Sequence, residues 1–308
     1  MIARDGAGRR ASGAKPACMV AGAEAQSVPR PDTSRDGAVR WRASLTLDLA
    51  RRGARTVLAH RTHAGPLRVQ RAFYPEADVP HIYLLHPPGG VVGGDELDIR
   101  VRCGPGAHAL LTTPAAHKFY RSDGPIAVQC VALMLEDGAG LEWLPQETLV
   151  FAGARAGAHT RIQLADRARF IGLEVVALGR PACGEVFDRG RFLQTAELWS
   201  RDRPVSVERL RLEGGGRLLG APWGLAGFNT LGTLLAWPGD GAFVDAARRA
   251  LAAAGTVRGG VTLVDGLLVC RVLGAWAEPV KAALIAVWEA LRPGLLQRPA
   301  CLPRIWRT

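Results

Sequence analysis

Leu85-His86-Pro87-Pro88-Gly89-Gly90-Val91-Val92-Gly93-Gly94-Asp95 is the stretch on which the reading of this chain turns. Pro87 and Pro88 fix φ and supply no backbone donor. Gly89, Gly90, Gly93 and Gly94 allow positive φ and the close approach of another backbone or an ion. His86 and Asp95 bracket the loop with two groups able to ligate a metal. Two readings are open: a tight, buried crossover between strands, or a loop shaped around a ligand. What flanks it narrows the fold. His81 to Leu85 reads as a strand, and so does Asp95 to Cys103, where Leu97, Ile99 and Val101 alternate with Asp98, Arg100 and Arg102. A phosphate-binding loop wants a helix N-terminus and a cation behind it. A phosphate- or nucleotide-binding enzyme built on residues 87–95 is therefore the alternative, and a strand-rich body is the expectation.

Outward from the loop the same period of two recurs. Trp41, Ala43, Leu45, Leu47 and Leu49 share one parity, which predicts a half-buried strand. Further strands are predicted over Arg55 to His60, Leu67 to Tyr74, His108 to Thr113, Pro125 to Leu135, His159 to Leu164, Arg169 to Ala177, Arg191 to Trp199 and Val205 to Leu212. Pro125 to Leu135 is apolar at both parities, as in a strand buried on both faces. Gly and Pro punctuate the gaps, which favours an all-β sandwich, barrel or solenoid over alternating βαβ units. Two helices come late. Asp240 is placed to cap one that runs to about Ala254, with Gly255 past its end. The second starts near Pro279, carries the stripe Val280, Ala283, Leu284, Val287, Trp288 and Leu291, and is predicted to stop at Pro293-Gly294. Between them Asp265-Gly266 signals a type I′ hairpin.

The 308 residues carry a formal net charge of +11, nearly all of it arginine, since Lys15, Lys118 and Lys281 are the only lysines. The arginines are spread along the chain, so a nucleic-acid patch gains no support from clustering. Six cysteines without close spacing exclude CxxC zinc and redox motifs and point to a reducing cytosol. No apolar run is long enough to span a bilayer. Residues 1–35 hold no aromatic and are predicted to be a disordered tail ahead of a single β-rich domain at 36–308.

Three more stretches are dense in chemistry: Thr112 to Ser122, with His117, Lys118, Tyr120 and Arg121; Leu141 to Phe151, with Glu142 and Glu147 among large apolar groups; and Leu178 to Phe187, with Arg180 and Glu185. A carboxylate in such company must be exposed, paired or ligating. Walker A, GxGxxG, HExxH and GxSxG patterns are absent. Acids and imidazoles are instead dispersed, one or two per loop. That dispersal suits a relay that holds a borderline or hard divalent ion weakly enough to release it.

At these four stretches, and at the terminal Pro303-Arg304-Ile305-Trp306-Arg307-Thr308, the chain resembles the urease accessory protein family UreD, called UreH in some organisms. The resemblance implies a β-helical body with a pair of helices and no enzymatic activity. It implies partners in apo-urease, UreF and the GTPase UreG, a cytoplasmic setting without membrane or nucleic acid, and nickel in transit through an internal tunnel with no stably bound cofactor. On that footing Asp95, Glu142, Glu147, Glu185 and His86 are the candidates for the nickel route. Thr112, Lys118, Tyr120 and Arg121 are candidates for tunnel wall or partner face. Val280, Leu284, Val287, Trp288, Leu291, Arg304 and Trp306 are candidates for the UreF face. Little weight falls on His117, a position where family members vary.

Overall fold

The computed structural model describes residues 41–307 apart from residue 256; the tail expected at residues 1–35 lies outside the described residues. The strands are β1 (Arg42–Arg52), β2 (Arg55–Ala64), β3 (Arg68–Val69), β4 (His81–Leu85), β5 (Glu96–Cys103), β6 (His108–Thr112), β7 (His117–Phe119), β8 (Ala127–Leu135) and β9 (Gly140–Leu144). They continue with β10 (Thr148–Val150), β11 (Arg155–Leu164), β12 (Arg169–Leu178), β13 (Arg191–Ser200), β14 (Arg203–Glu213), β15 (Thr230–Trp237), β16 (Arg258–Val264) and β17 (Leu267–Gly274). Three helices are α1 (Arg217–Gly220), α2 (Gly241–Ala253) and α3 (Ala277–Leu296).

From β4 to β13 the chain winds as a solenoid. Strands β4, β6, β9 and β12 lie side by side in one sheet, and β5, β8, β11 and β13 in the other, each parallel to its neighbour. Register stacks like on like: Leu47, Val101, Leu133 and Ile162 are successive partners across the first sheet, and all are buried. A short third side closes the coil. Val91 bridges Phe119 in parallel, Phe119 pairs with Val150, and Val150 pairs with Leu178. These four side chains are buried as one column. The four chemically dense stretches are thus the same corner of the coil on successive turns.

The ends are closed by antiparallel strands. The hairpins β1–β2 and β13–β14 flank the first sheet, and β15, β17 and β16 extend the second. Helices α2 and α3 cover the outer face of the second sheet. Two cores result, one between the sheets and one between the second sheet and the helices. Strand β12 serves both: Phe170, Val176 and Leu178 enter the first, and Ile171, Leu173 and Val175 the second.

Several expectations hold locally. The Asp240 carboxylate accepts from Phe243 N at 2.8 Å, and Asp265 and Gly266 both take positive φ. Others do not. Helix α3 passes through Pro293 and Gly294 to Leu296. Burying Leu295 and Leu296 contributes about 3–6 kcal/mol, enough to offset the ~3 kcal/mol an internal proline costs. Trp41 shares parity with the buried leucines of β1 but precedes the strand and is 58% exposed. Of the strand expected over 67–74, Arg68–Val69 and a single bridge at Phe73 form.

Candidate functional site

The space between the two sheets is incompletely filled. A cavity of about 110 Å³ runs inward from His86, Gly89, Thr113 and His117. A second, of about 320 Å³, runs inward from Glu208, Arg209 and Arg271. Both are lined by Trp143, Thr160, Glu174 and Gln194, so the two cavities border the same four side chains inside the solenoid. Exposed side chains stand at the two outer ends, Ala115 at one and Arg209 and Arg271 at the other.

Glu174 is one of these four. It occupies the inward parity of β12, between Gly172 and Val176, where register alone would put another apolar residue. The Thr160 hydroxyl donates to one carboxylate oxygen at 2.6 Å and the Gln194 amide to the other at 2.6 Å. Both partners are neutral. Burial therefore pushes the Glu174 carboxyl up from its ordinary value against the pull of those two hydrogen bonds. It lines both cavities. Thr160 itself replaces the aliphatic partners Ile99 and Val131 in its row of the first sheet. A carboxylate, a hydroxyl and an amide thus converge beside both cavities, which suits transient hold of a cation.

Of the five residues expected along an ion route, His86 alone lines this interior. Asp95 folds back on its own loop and accepts from Val92 N at 3.0 Å. Glu185 accepts from Ala152 N at 3.0 Å and pairs with Arg180, whose hydrogen bond holds its carboxyl low. Glu147 faces Lys281 at 3.6 Å. Glu142 requires a correction. It lies in register with Leu110 and Ile171, on the helix-facing side of the sheet, away from both cavities. Its carboxylate is fully buried and accepts from Trp288 Nε1 at 2.8 Å and from Arg292 Nε at 2.8 Å, with His108 Nε2 at 3.0 Å. Burial alone would push this carboxyl up, but the hydrogen bonds and charge from His108 and Arg292 win and hold it down. Arg292 also reaches Glu76 at 2.7 Å, which in turn contacts His81 at 3.0 Å. Ligand atoms of Glu76, His81 and Cys301 lie within 4.8 Å of one another, yet the guanidinium on Glu76 opposes a cation there.

The Pro-Gly loop is closed in at two of its glycines, while a Cβ at Gly89 would meet nothing nearer than Lys118 Nζ at 4.0 Å. A Cβ at Gly90 would meet Lys118 O at 2.8 Å, and one at Gly93 would run into Ser122 and Pro125. Strand β5 follows it, with no helix behind. The tight-crossover reading accounts for its glycines, and Tyr120, edge-on to Phe151 at 5.1 Å, packs the same corner. Arg121 bridges Ala154 there and is exposed.

A family model described as UreD urease accessory protein matches residues 42–307. This chain belongs to that family. A protein from Alkalilimnicola ehrlichii named urease accessory protein UreD is 48% identical over 269 residues, covering 87% of this chain and 92% of its own. One of the same name from Azoarcus sp. is 48% identical over 271 residues, covering 87% and 94%. That from Klebsiella aerogenes is 43% identical over 270 residues, covering 87% and 97%. The matched span begins where β1 begins and takes in nearly all the described residues.

The family's helical layer is not the free surface expected of it. Val280, Leu284, Val287, Trp288 and Leu291 are all fully buried against the second sheet, so they are core and present no partner face. The stripe is the helix's inner side, as an amphipathic pattern on a covering helix requires. The tail differs. Arg304 is exposed, and Trp306 is half-buried with Nε1 donating to Thr112 Oγ1 at 3.0 Å. Thr112 in turn donates to Leu144 O at 2.6 Å, and Lys281 stands 5.2 Å from the Trp306 ring centroid. The tail is latched across the ends of β6 and β9. No described helix is long and apolar enough to cross a membrane.

Sequence reading missed Glu174, and the signal was present. In Phe170-Ile171-Gly172-Leu173-Glu174-Val175-Val176-Ala177-Leu178 it is the one charge in a run apolar on both faces. Such a charge is retained against a desolvation cost.

Proposed function

We propose that this protein is a non-enzymatic scaffold of urease maturation that passes nickel into apo-urease in a complex with UreF and UreG. The observation carrying the reading is the pair of internal cavities that share Glu174 in their lining. Its carboxyl is held by neutral donors and pairs with no cation, so a visiting cation would meet no competing positive charge on it. A transit site needs weak, oxygen-rich hold, and the lining hydroxyls and amides supply it without thiolates. The family's name ties the role to urease. Of the residues expected at the UreF face, Arg304 and Trp306 in the terminal segment are the ones still accessible to such a partner.

The test is the nickel content of urease purified from cells that lack this protein or carry Glu174→Gln. Urease made in normal amount but poor in nickel is the expected result in both. Full nickel occupancy in the deletion strain would end the proposal. Loss of the UreF complex by Glu174→Gln would make the residue a structural one.

A further inference from the structure

The second feature of the interior is a pair of imidazoles at the outer end of the smaller cavity. His86 follows β4 on one coil, and His117 opens β7 on the next. Their rings lie 6.3 Å apart and tilted by 56°. His86 Nδ1 and His117 Nε2 are both buried and have no hydrogen-bond partner among the described residues. One such nitrogen is costly, and two side by side in one cavity call for a compensating ligand. The His117 ring is held edge-on to Phe119, centroids 4.7 Å apart, and its backbone N–H donates to Glu147 O at 2.9 Å. Its orientation is therefore set before any ligand arrives. Burial keeps the His86 and His117 imidazoles in the neutral form that offers a lone pair.

We infer that His86 and His117 together form a weak station for a borderline divalent cation at the head of the cavity that leads to Glu174. The donor set is two imidazoles with no thiolate and no acid lining that end. That favours nickel, zinc or copper over magnesium or calcium and leaves most of the coordination sphere open. An ion so held exchanges readily, and the same cavity offers it a carboxylate further in. The inference rests on the reading that an ion passes through this interior, and it names where on this chain the ion is first held.

The experiment loads the full chain, purified with its complex, with Ni²⁺ alone. Nickel X-ray absorption and Ni²⁺ titration are compared for wild type, His86→Asn, His117→Asn and Glu174→Gln. The wild-type spectrum should show imidazole scattering, which each histidine variant reduces while Glu174→Gln keeps it. Each histidine variant should also bind Ni²⁺ ~10-fold or more weakly. A wild-type spectrum with oxygen ligation only would overturn the station, whatever the variants do or fail to fold into. So would imidazole scattering unchanged in both histidine variants. If those results came with nickel-poor urease from Glu174→Gln cells, the delivery role would stand and the imidazole station alone would fall. Imidazole-bound nickel together with fully loaded urease in the deletion strain would leave the station and remove the delivery role.

Discussion

Glu142 and Glu174 are two buried acids one strand apart in the same sheet, and they have opposite surroundings. Glu142 points to the helices, where Arg292, Trp288 and His108 saturate it. Glu174 points between the sheets, where its hydrogen-bond partners are the neutral Thr160 and Gln194. The first has its charge neutralised by a partner as deeply buried as itself. The second keeps an unneutralised carboxyl beside open space. Burial of an acid therefore says little by itself; the charge state of its partners separates a rivet from a receptor. The same contrast explains why the acids first singled out on the coil corners serve loop structure. Asp95 and Glu185 cap backbone amides, as carboxylates in glycine-rich turns usually do.

The largest effect should come from breaking the rivet. Arg292→Met leaves Glu142 and Glu76 without their shared cation and should cost about 3–5 kcal/mol in urea denaturation. Pairing it with Glu142→Leu should recover much of that loss, because the buried charge goes with its partner. No recovery would mean that packing, and not charge, dominates at this site.

Next comes Glu174→Gln. The amide is nearly isosteric and both neighbours are neutral, so stability should change by no more than about 1 kcal/mol. Nickel delivery should fall ~10- to 100-fold, the range seen when a group supporting a metal site is removed. A variant as damaged in stability as Arg292→Met would erase the distinction between the two acids.

The pH dependence should carry opposite signs on the two faces. The folded-state carboxyls of Glu142 and Glu76 lie below the ordinary value of 4.5. The stability they contribute is present above that value and is lost as pH falls through their folded range. Glu174 is raised above 4.5. The folded state then binds the extra proton between the ordinary and the raised value, and stability falls as pH rises through that window. Denaturation midpoints measured from pH 4 to 8 should show wild type losing ground to Glu174→Gln as pH rises. A constant difference between them would contradict the assignment.

The smallest effect belongs to the tail latch. Trp306→Phe removes the donor to Thr112 and should cost about 0.5–1.5 kcal/mol. Thr112 keeps its bond to Leu144, so the fold should persist, while limited proteolysis near Arg304 should quicken.

Much of this protein was legible in its residues alone. Period-two alternation, glycine and proline punctuation and the Asp240 and Asp265-Gly266 signals located most strands, one helix with its cap and one hairpin, because these obey chemistry within a few residues. The combination of corner motifs named the family. Strands β7, β9, β10 and β15 escaped: three residues carry no period in β7 and β10, and Gly140–Leu144 and Thr230–Trp237 show no clean apolar-polar alternation. Periodicity left sandwich, barrel and solenoid open, since alternation reports that a strand has two faces and not which strand lies beside it; the family resemblance chose the β-helical body that the structure has. The site was legible least. Strands β9 and β12 are buried on both sides, so parity could not tell which acid meets a cavity and which meets an arginine. That was decided by where α3 lands, through contacts such as Trp288 to Glu142 across 146 residues of chain. Such contacts depend on the whole coil being wound, and no local pattern encodes them.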